Sequence, residues 1–225
     1  MGPERCRNDR HFHRGGQCLK AVGDLYAIRH GETAWSLSGQ HTGVTDIPLT
    51  ENGRRLAKAL APVLAGHRFA SVLVSPLMRA RETCTLAGLG GQAEIEPDVI
   101  EWDYGAYEGL TPHQIHATHP GWMIFQDGAP GGEAPRDVSV RVDRVIRRVR
   151  GIEGDVAAFA HGHVLRVLAA RWIGLPAEDG ARFLLDTGTL CILSRYRGEP
   201  AIKTWNGPLL DQAFTKALAP AAAAS

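Results

Sequence analysis

The chain has 225 residues, 44% of them hydrophobic, which suits one folded domain with a sizeable core. Its 25 lysines and arginines nearly balance its 24 acidic residues, so the overall charge does not favour binding to nucleic acid or to a membrane surface. The four cysteines are too few and too scattered for a disulfide scaffold, and no apolar stretch approaches the ~20 residues that cross a bilayer.

The two ends of the chain differ from its middle. Residues 1–22 are basic and polar without a steady hydrophobic period, so we expect a disordered extension there, and we expect a flexible tail at residues 213–225. No apolar stretch follows the charged N-terminus, which favours a cytoplasmic location. Cys6, His11, His13 and Cys18 offer metal ligands, but their spacing matches none of the common zinc patterns, so a metal site there is the less favoured alternative.

Strands and helices alternate through the remaining residues, 23–212, which we expect to form the domain. The predicted strands are Asp24–His30, Ala70–Ser75, Ala93–Glu96, Asp155–Ala160, Leu190–Tyr196 and Ala201–Trp205. The predicted helices are Thr50–Ala65, Met78–Leu89, Thr111–Thr118, Arg136–Arg150 and His163–Ile173. Repeated strand–helix–strand units predict an α/β fold with a mainly parallel sheet and helices on both faces. We expect a small cap region at about residues 102–135.

Residues suited to phosphate chemistry follow the predicted strands. Arg29 and His30 end the first strand, and Arg79 comes one helical turn after the second. Glu101 follows the third strand, and His161 follows the fourth. Because ligands bind beyond the carboxyl ends of parallel strands, we expect these five side chains to meet at one edge of the sheet.

The cationic and nucleophilic residues fit the transfer of a phosphoryl group. A neutral imidazole attacks phosphorus and forms a phosphohistidine, which is the role that His30 can fill. Arg29 and Arg79 can bind phosphate oxygens bidentately and stabilise the charge of the transition state. This layout needs no metal, because the arginines supply the positive charge.

The remaining residues of the set complete the reaction. We expect His161 to be cationic and to donate to the phosphate, and Glu101 to protonate the leaving oxygen and then to deprotonate water. Glycine at Gly31 and Gly162 allows the backbone to approach the anion closely. Each residue alone has a plainer interpretation, since lone histidines are usually structural and the segment from His161 to His163 could be a turn or a metal ligand pair. Their co-occurrence at several strand ends favours a catalytic site.

Six segments of the chain follow one another in the order of a known family. They are Leu25–Thr33 (LYAIRHGET), Ala34–Gly53, Ser75–Thr83 (SPLMRARET), Glu101–Leu110 (EWDYGAYEGL), Pro130–Val138 and Phe159–Pro176. Together they resemble the histidine phosphatase superfamily, whose members have the phosphoglycerate mutase-like fold. The resemblance covers Leu25 to Trp205, and the second and fourth segments look most similar to bacterial acid phosphatases and to sedoheptulose-bisphosphatase-like members.

The resemblance implies a role for each matching residue. His30 would be the phospho-accepting nucleophile, Glu101 the acid and base, and the phosphoryl group would be held by Arg29, Arg79 and His161. The expected substrate contacts are Ser36, Thr42, Gly43, Trp102, Asp103, Tyr104 and Gly162, with Gly162 included for the close backbone approach. Ser36 stands where mutases carry an asparagine, which makes its contact less certain. Neither a cofactor nor a metal is expected.

Hydrolysis is favoured over phosphate transfer between hydroxyls. Only Trp102–Gly132 separates Glu101 from Glu133, which is short for the lid that keeps water out of a mutase. We therefore expect hydrolysis of a small organic phosphate ester, with a cofactor-dependent phosphoglycerate mutase and an inert phosphate-binding or interaction module as alternatives. A homodimer is possible, although no isologous patch is visible in the sequence.

Aromatic residues and histidines of the loops leave two questions open. Trp35, Trp102, Tyr104, Tyr107, Trp122 and Phe125 could line the substrate site or could pack the cap region against the sheet. His113, His116 and His119 are expected on a solvated face. His30 must be neutral to attack phosphorus, and Glu101 must be protonated to release the alcohol. These two requirements predict that the rate has a bell-shaped dependence on pH with an acidic optimum.

Overall fold

The computed structural model describes residues 22–207. Its strands are β1 (Val22–Arg29), β2 (Phe69–Val74), β3 (Ala93–Ile95), β4 (Gly154–Ala160), β5 (Leu190–Tyr196) and β6 (Glu199–Gly207). Its helices are α1 (Ala34–Ser38), α2 (Glu51–Leu64), α3 (Met78–Leu86), α4 (Pro112–Thr118), α5 (Ile124–Asp127), α6 (Pro135–Arg150) and α7 (Gly162–Trp172). The sequence did not predict α1 and α5, because helices of five and four residues are too short to show a hydrophobic period.

The six strands form one sheet in the order β3-β2-β4-β1-β5-β6. β1, β2, β3 and β4 are parallel, whereas β5 runs antiparallel to both β1 and β6. The prediction of an α/β fold with a mainly parallel sheet is therefore confirmed. The chain passes from β1 to β2 and from β3 to β4 through helices, as parallel neighbours require.

Helices cover both faces of the sheet, and the alternation along β1 shows which residues face each side. Leu25 and Ala27 join a core cluster with Val142 of α6 and with residues of α7. Tyr26 and Ile28 join a second cluster with residues of α2 and α3. Successive side chains of a strand point to opposite faces, so a parallel strand buried on both sides reads as a continuous apolar run.

Two element boundaries differ from the prediction for local reasons. The helix expected at Met78–Leu89 ends at Leu86, because Gly88 adopts a left-handed backbone (φ +84°) that a helix cannot continue through. The edge strand expected at Ala201–Trp205 is longer and runs over Glu199–Gly207. Within residues 22–207 no helix is both long and apolar enough to cross a membrane.

Several predictions concern residues outside the described range. The N-terminal extension up to residue 21, the tail at residues 213–225 and the metal-ligand set of Cys6, His11, His13 and Cys18 all lie there. These predictions and the exact limits of the domain remain untested. Within residues 22–207, no group of three or more His, Cys, Asp or Glu side chains is arranged to hold a metal ion.

Candidate active site

The register of the three central strands places their carboxyl ends side by side. Arg29 of β1 pairs with Ala160 of β4, and Val74 of β2 pairs with Phe159. The backbone N–H of His30 donates to the Ala160 carbonyl at 3.0 Å, which continues the ladder one residue beyond the strand. The rings of His30 and His161 consequently lie 5.1 Å apart, centroid to centroid.

His30 presents one nitrogen for attack. Its Nδ1–H donates to the Gly31 carbonyl at 2.6 Å, which fixes the proton on Nδ1 and leaves the lone pair on Nε2. Burial, followed by the charges of Arg79 and Arg29, lowers the pKa of His30 well below 6.5. The imidazole therefore stays neutral in mildly acidic solution, which agrees with the expected acidic optimum.

Arg29 directly precedes His30 at the end of β1, and one N–H group of its side chain has no hydrogen-bond partner among the described residues. One of its terminal nitrogens donates to the Leu185 carbonyl, whereas its buried Nε has no hydrogen-bond partner among the described residues. A Cβ at Gly162 would come within 3.2 Å of the guanidinium carbon of Arg29. Glycine at this position thus lets the start of α7 and the Arg29 side chain lie in contact.

Arg79 is fully buried and ties the site to the loop of residues 40–46. Its NH1 donates to the Thr45 carbonyl at 2.9 Å, and its NH2 donates to the carbonyls of Thr42 and Gly43 at 3.0 and 2.8 Å. Its Nε donates to His161 Nδ1 at 3.1 Å. These bonds use four of the five guanidinium N–H groups, so a direct contact with phosphate remains a prediction.

The expectation that His161 is cationic was wrong. An arginine Nε always donates, so His161 Nδ1 must accept the bond from Arg79, and the imidazole proton is on Nε2. That Nε2–H donates to Ser75 Oγ at 2.7 Å. Burial and the neighbouring positive charge of Arg79 lower the pKa of His161 well below 6.5. The structure shows His161 holding Arg79 in place as a neutral acceptor.

Glu101 is buried at the N-terminus of α7. Its Oε1 accepts hydrogen bonds from the backbone N–H groups of Trp102 and Val164, both at 2.9 Å, and its Oε2 accepts one from His163 at 3.1 Å. The N-terminus of a helix favours a negative charge. The carboxylate is therefore fixed by backbone groups rather than by flexible side chains, as a residue that transfers protons at a defined point requires.

A second carboxylate, which the sequence analysis did not single out, orders the loop of residues 40–46. Glu108 accepts hydrogen bonds from the backbone N–H groups of Gly43 and Thr45 at 3.0 Å. A Cβ at Gly43 would meet the Trp102 carbonyl at 2.5 Å and a carboxylate oxygen of Glu108 at 2.6 Å. Only glycine fits where this loop passes over Trp102.

Two of the predicted substrate contacts have structural roles. The Trp102 side chain is completely buried and donates its Nε1–H to the Glu133 carbonyl at 2.8 Å, so the prediction that this side chain contacts substrate was wrong. The Ser36 hydroxyl accepts from the Thr33 N–H and donates to the Thr33 carbonyl, which caps α1. Its hydrogen-bonding capacity is largely used there, and its expected phosphate contact has no support from the structure.

The remaining predicted contacts lie beside the catalytic residues, and their roles remain predictions. Asp103 accepts at Oδ1 from the Gly105 N–H at 2.9 Å, and Thr42 donates its hydroxyl to the Gln40 carbonyl at 3.2 Å. Tyr104 is buried, and its hydroxyl shares a hydrogen bond with His163 Nδ1.

The aromatic residues mostly pack the cap region. Trp102, Tyr104, Tyr107 and Phe125 are buried, whereas Trp35 and Trp122 are half-buried. His113, His116 and His119 are exposed, as expected for a solvated face.

An ion pair between the buried Arg141 and the half-buried Glu133, which the sequence analysis missed, positions the segment around Glu101. Arg141 of α6 donates to both carboxylate oxygens of Glu133 at 2.7 and 2.9 Å. Arg141 also donates to the carbonyls of Asp98, Ile100 and Glu101, at 2.9, 2.6 and 3.2 Å. The signal in the sequence was an arginine on the otherwise apolar face of the predicted helix.

Replacing Arg141 by methionine is expected to lower the free energy of unfolding by about 2–3 kcal/mol, because the half-buried Glu133 carboxylate and three backbone carbonyls lose their donor. Urea unfolding measures this change. Arg144→Met is the matched control, because that side chain is 49% exposed in its pair with Asp98, and its loss should change the free energy of unfolding little. Equal effects of the two substitutions would contradict the positioning role of Arg141.

Comparison with known proteins gives a consistent result. The family model described as histidine phosphatase superfamily (branch 1) matches residues 25–208. The chain belongs to the histidine phosphatase superfamily. An acid phosphatase of Mycobacterium tuberculosis is 38% identical over 172 residues, covering 75% of this chain and 84% of the relative. A sedoheptulose 1,7-bisphosphatase of Saccharomyces cerevisiae is 34% identical over 183 residues, covering 67% and 68%.

The fold comparison agrees with the family assignment. The solved structure of an open reading frame product of Mycobacterium tuberculosis superposes with a TM-score of 0.77 at 35% identity, covering 82% of this chain and 97% of that chain. This histidine phosphatase superfamily member is thus a phosphatase, an enzyme that hydrolyses phosphomonoesters.

Proposed function

We propose that this phosphatase hydrolyses small organic phosphate esters through a phosphohistidine formed on His30. The observation that carries the proposal is the fixed tautomer of His30, whose Nδ1–H donates to the Gly31 carbonyl and leaves Nε2 as the nucleophilic atom. Burial and two nearby guanidinium groups keep this imidazole neutral, because they lower its pKa.

In the first half-reaction, His30 Nε2 attacks phosphorus and the bond from phosphorus to the ester oxygen breaks. Glu101 gives a proton to the leaving oxygen, so that the alcohol departs uncharged. Arg29 stabilises the charge on the phosphoryl oxygens with guanidinium N–H groups other than the one that donates to the Leu185 carbonyl.

In the second half-reaction, water attacks the same phosphorus and the phosphorus–nitrogen bond breaks. Glu101 now accepts a proton from the attacking water, which restores the acid for the next cycle. Inorganic phosphate leaves, and His30 regains its lone pair on Nε2. The short cap region supports this outcome over a mutase reaction, because hydrolysis requires water to reach the phosphoenzyme.

The proposed mechanism requires no metal ion. Arg29 and Arg79 provide permanent positive charge beside the nucleophile, and both act on the pKa of His30. Arginine remains charged at any working pH and offers donors in the planar geometry that phosphate oxygens match. Activity should therefore persist in the presence of a chelator.

Replacing Glu101 by glutamine is expected to slow turnover of alkyl phosphates by about 10²–10⁴-fold, because the amide cannot donate or accept the catalytic proton. The first half-reaction with p-nitrophenyl phosphate should be much less affected, since p-nitrophenolate leaves without protonation. The second half-reaction still needs the base, so a rapid burst of p-nitrophenol followed by slow turnover is expected. Stopped-flow absorbance with added chelator measures both phases.

The matched control is Glu94→Gln, because Glu94 is a carboxylate of β3 that pairs with Arg148 outside the site. Its rates should equal those of the wild type. If Glu101→Gln slowed alkyl and aryl phosphates equally, without a burst, Glu101 would not be the acid and base. Loss of wild-type activity on chelation would overturn the metal-independent mechanism.

A further inference from the structure

Two buried side-chain nitrogens have no hydrogen-bond partner among the residues that the structure describes. They are Arg29 Nε and His41 Nε2. Buried polar atoms are nearly always paired, so each exception needs an explanation. The phosphoryl group of the proposed mechanism supplies a partner for Arg29. His41 has no role in that mechanism, and its unpaired nitrogen therefore points to a second ligand atom.

His41 lies in a cluster of rings with only 9% of its surface exposed. Its imidazole lies 4.6 Å from the ring of Tyr104, 5.4 Å from that of Trp122 and 5.9 Å from that of His163, centroid to centroid. Phe125 packs on His163 at 5.1 Å. We refer to these five residues as the ring cluster.

The ring cluster adjoins the acid and base of the reaction. The backbone N–H of His163 donates to Glu101 Oε2 at 3.1 Å. On the other side, Gly43, two residues after His41, accepts from Arg79 through its carbonyl and would contact the Tyr104 ring if it carried a Cβ. In the proposed mechanism the leaving oxygen reaches Glu101, so the alcohol part of the substrate is expected on the side of these rings.

The ring cluster carries no fixed positive charge. Burial lowers the pKa of His41 to about 4 and that of His163 well below 6.5, so both imidazoles are neutral at physiological pH. Residues 102–135, which contribute Tyr104, Trp122 and Phe125, contain neither lysine nor arginine. Arg166 lies over the Phe125 ring at 4.4 Å but donates to the carbonyls of Gly180 and Ala181.

We propose that the ring cluster binds the leaving alcohol and that His41 Nε2 hydrogen-bonds one of its hydroxyls, so that the enzyme prefers monophosphates of uncharged polyols or sugars. A hydroxyl both donates and accepts, so it suits either tautomer of a neutral imidazole. A second phosphate or a carboxylate would be desolvated against aromatic rings, and the arginines nearest to the cluster are already engaged, Arg166 with backbone carbonyls and Arg29 with the reacting phosphoryl group in the proposed mechanism. This inference rests on the proposed function and specifies its substrate class.

Contact with substrate requires a small movement, because the His41 nitrogen is covered in the structure. Trp122, which packs edge-to-face on the imidazole at 5.4 Å, is half-buried, whereas Tyr104 and Phe125 are buried, so a shift of Trp122 displaces the fewest core contacts. Its indole N–H donates to the Gly128 carbonyl at 2.8 Å within the same segment, so the segment can adjust while that bond is kept.

Three phosphate esters with three carbons each, used as substrates, distinguish the effect of a charge on the alcohol part from the effect of its hydroxyl groups. They are glycerol 1-phosphate, 3-phosphoglycerate, in which a carboxylate replaces the terminal hydroxymethyl group, and n-propyl phosphate, which has no hydroxyl. We expect the wild-type kcat/KM for glycerol 1-phosphate to exceed that for 3-phosphoglycerate by at least about tenfold, as an unpaired buried charge is strongly disfavoured. Equal or better turnover of 3-phosphoglycerate would overturn the inference.

His41→Phe keeps the ring packing and removes the hydrogen bond. It should lower kcat/KM for glycerol 1-phosphate roughly three- to tenfold, mainly through KM, and leave n-propyl phosphate unchanged. His41→Gln, whose amide can reach the Nε2 position, should retain most of the activity. The control is His113→Phe, the same substitution at an exposed position of α4, which should have no effect.

An equal loss on glycerol 1-phosphate and n-propyl phosphate in His41→Phe would show a structural role and overturn the inference. If His41→Phe does not fold, the inference is still tested by the activity of His41→Gln and by the wild-type preference for glycerol 1-phosphate over 3-phosphoglycerate. Turnover of p-nitrophenyl phosphate by the wild type is measured alongside. Its absence would overturn the proposed catalytic site, whereas its presence with the wrong substrate preference would overturn only the role of His41.

Discussion

Replacement of His30 by asparagine is expected to reduce phosphate ester hydrolysis by at least about 10⁴-fold, because the nucleophile of a two-step mechanism has no substitute. The asparagine amide can still donate to the Gly31 carbonyl, as His30 Nδ1 does, so the local fold should be preserved. It has no atom at the position of Nε2. The variant thus removes the attacking lone pair and leaves both arginines in place.

The phosphoenzyme gives a second readout of the same variant. Wild-type enzyme quenched during turnover of a labelled phosphate ester should carry label that is lost in acid and retained in base, since a phosphorus–nitrogen bond hydrolyses in acid. The asparagine variant should carry none. His113→Asn, an exposed histidine substituted in the same way, should match the wild type in both rate and labelling. Substantial activity in the His30 variant would exclude His30 as the nucleophile.

Stability should fall steeply in mild acid, which is the second large expected effect. Four histidines share a lowered pKa: the buried His30, His41 and His161 and the half-buried His163. Burial is the largest cause at each of them. The unfolded chain binds a proton at each histidine as the pH falls below about 6.5, whereas the folded chain does not until its own lower pKa is reached.

The direction in which stability changes with pH follows from the number of protons that the folded and unfolded states bind. Because the unfolded state binds more protons than the folded state below pH 6.5, the free energy of unfolding rises with pH and is lost as the pH falls. For His41 the loss extends from about pH 6.5 down to about 4. Each histidine can remove about 1.4 kcal/mol per pH unit, so four of them can remove up to about 5 kcal/mol between pH 6 and pH 5.

Urea unfolding at pH 7, 6 and 5 measures this dependence, and carboxylates contribute little in that range because most titrate near pH 4. His41→Phe should reduce the slope by about one proton, whereas His113→Phe should leave it unchanged because His113 is exposed. If the free energy of unfolding were the same at pH 7 and pH 5, these histidines would bind protons over that range in the folded protein as they do in the unfolded chain, which would contradict the prediction.

The residues predicted to be catalytic lie close together because they follow strands that the sequence could indicate as members of one parallel sheet. Arg29, His30 and His161 lie at the carboxyl ends of β1 and β4, and these neighbouring parallel strands bring them into contact. The alternation of strands and helices was sufficient to predict this edge of the sheet. The short helices α1 and α5 gave no such periodic signal.

The errors concern protonation and burial, which depend on contacts between distant segments. His161 was expected to be cationic, but Arg79, 82 residues earlier, donates to it and requires the neutral form. Trp102 was expected at the substrate, but its indole N–H is used by the carbonyl of Glu133 within the core. Neither partner could be assigned from spacing along the chain.

The sequence by itself determined the fold class, the approximate position of the strands and the placement of Arg29, His30 and His161 at strand ends, because hydrophobic periodicity and residues at strand ends are local properties. Only the tertiary structure decided which nitrogen of His30 and of His161 carries the proton, how Arg141 and Glu133 fix the segment around Glu101, and that His41 Nε2 has no hydrogen-bond partner among the described residues. These features arise when buried polar groups from separate segments must satisfy one another's hydrogen bonds, and that pairing exists only in the folded chain.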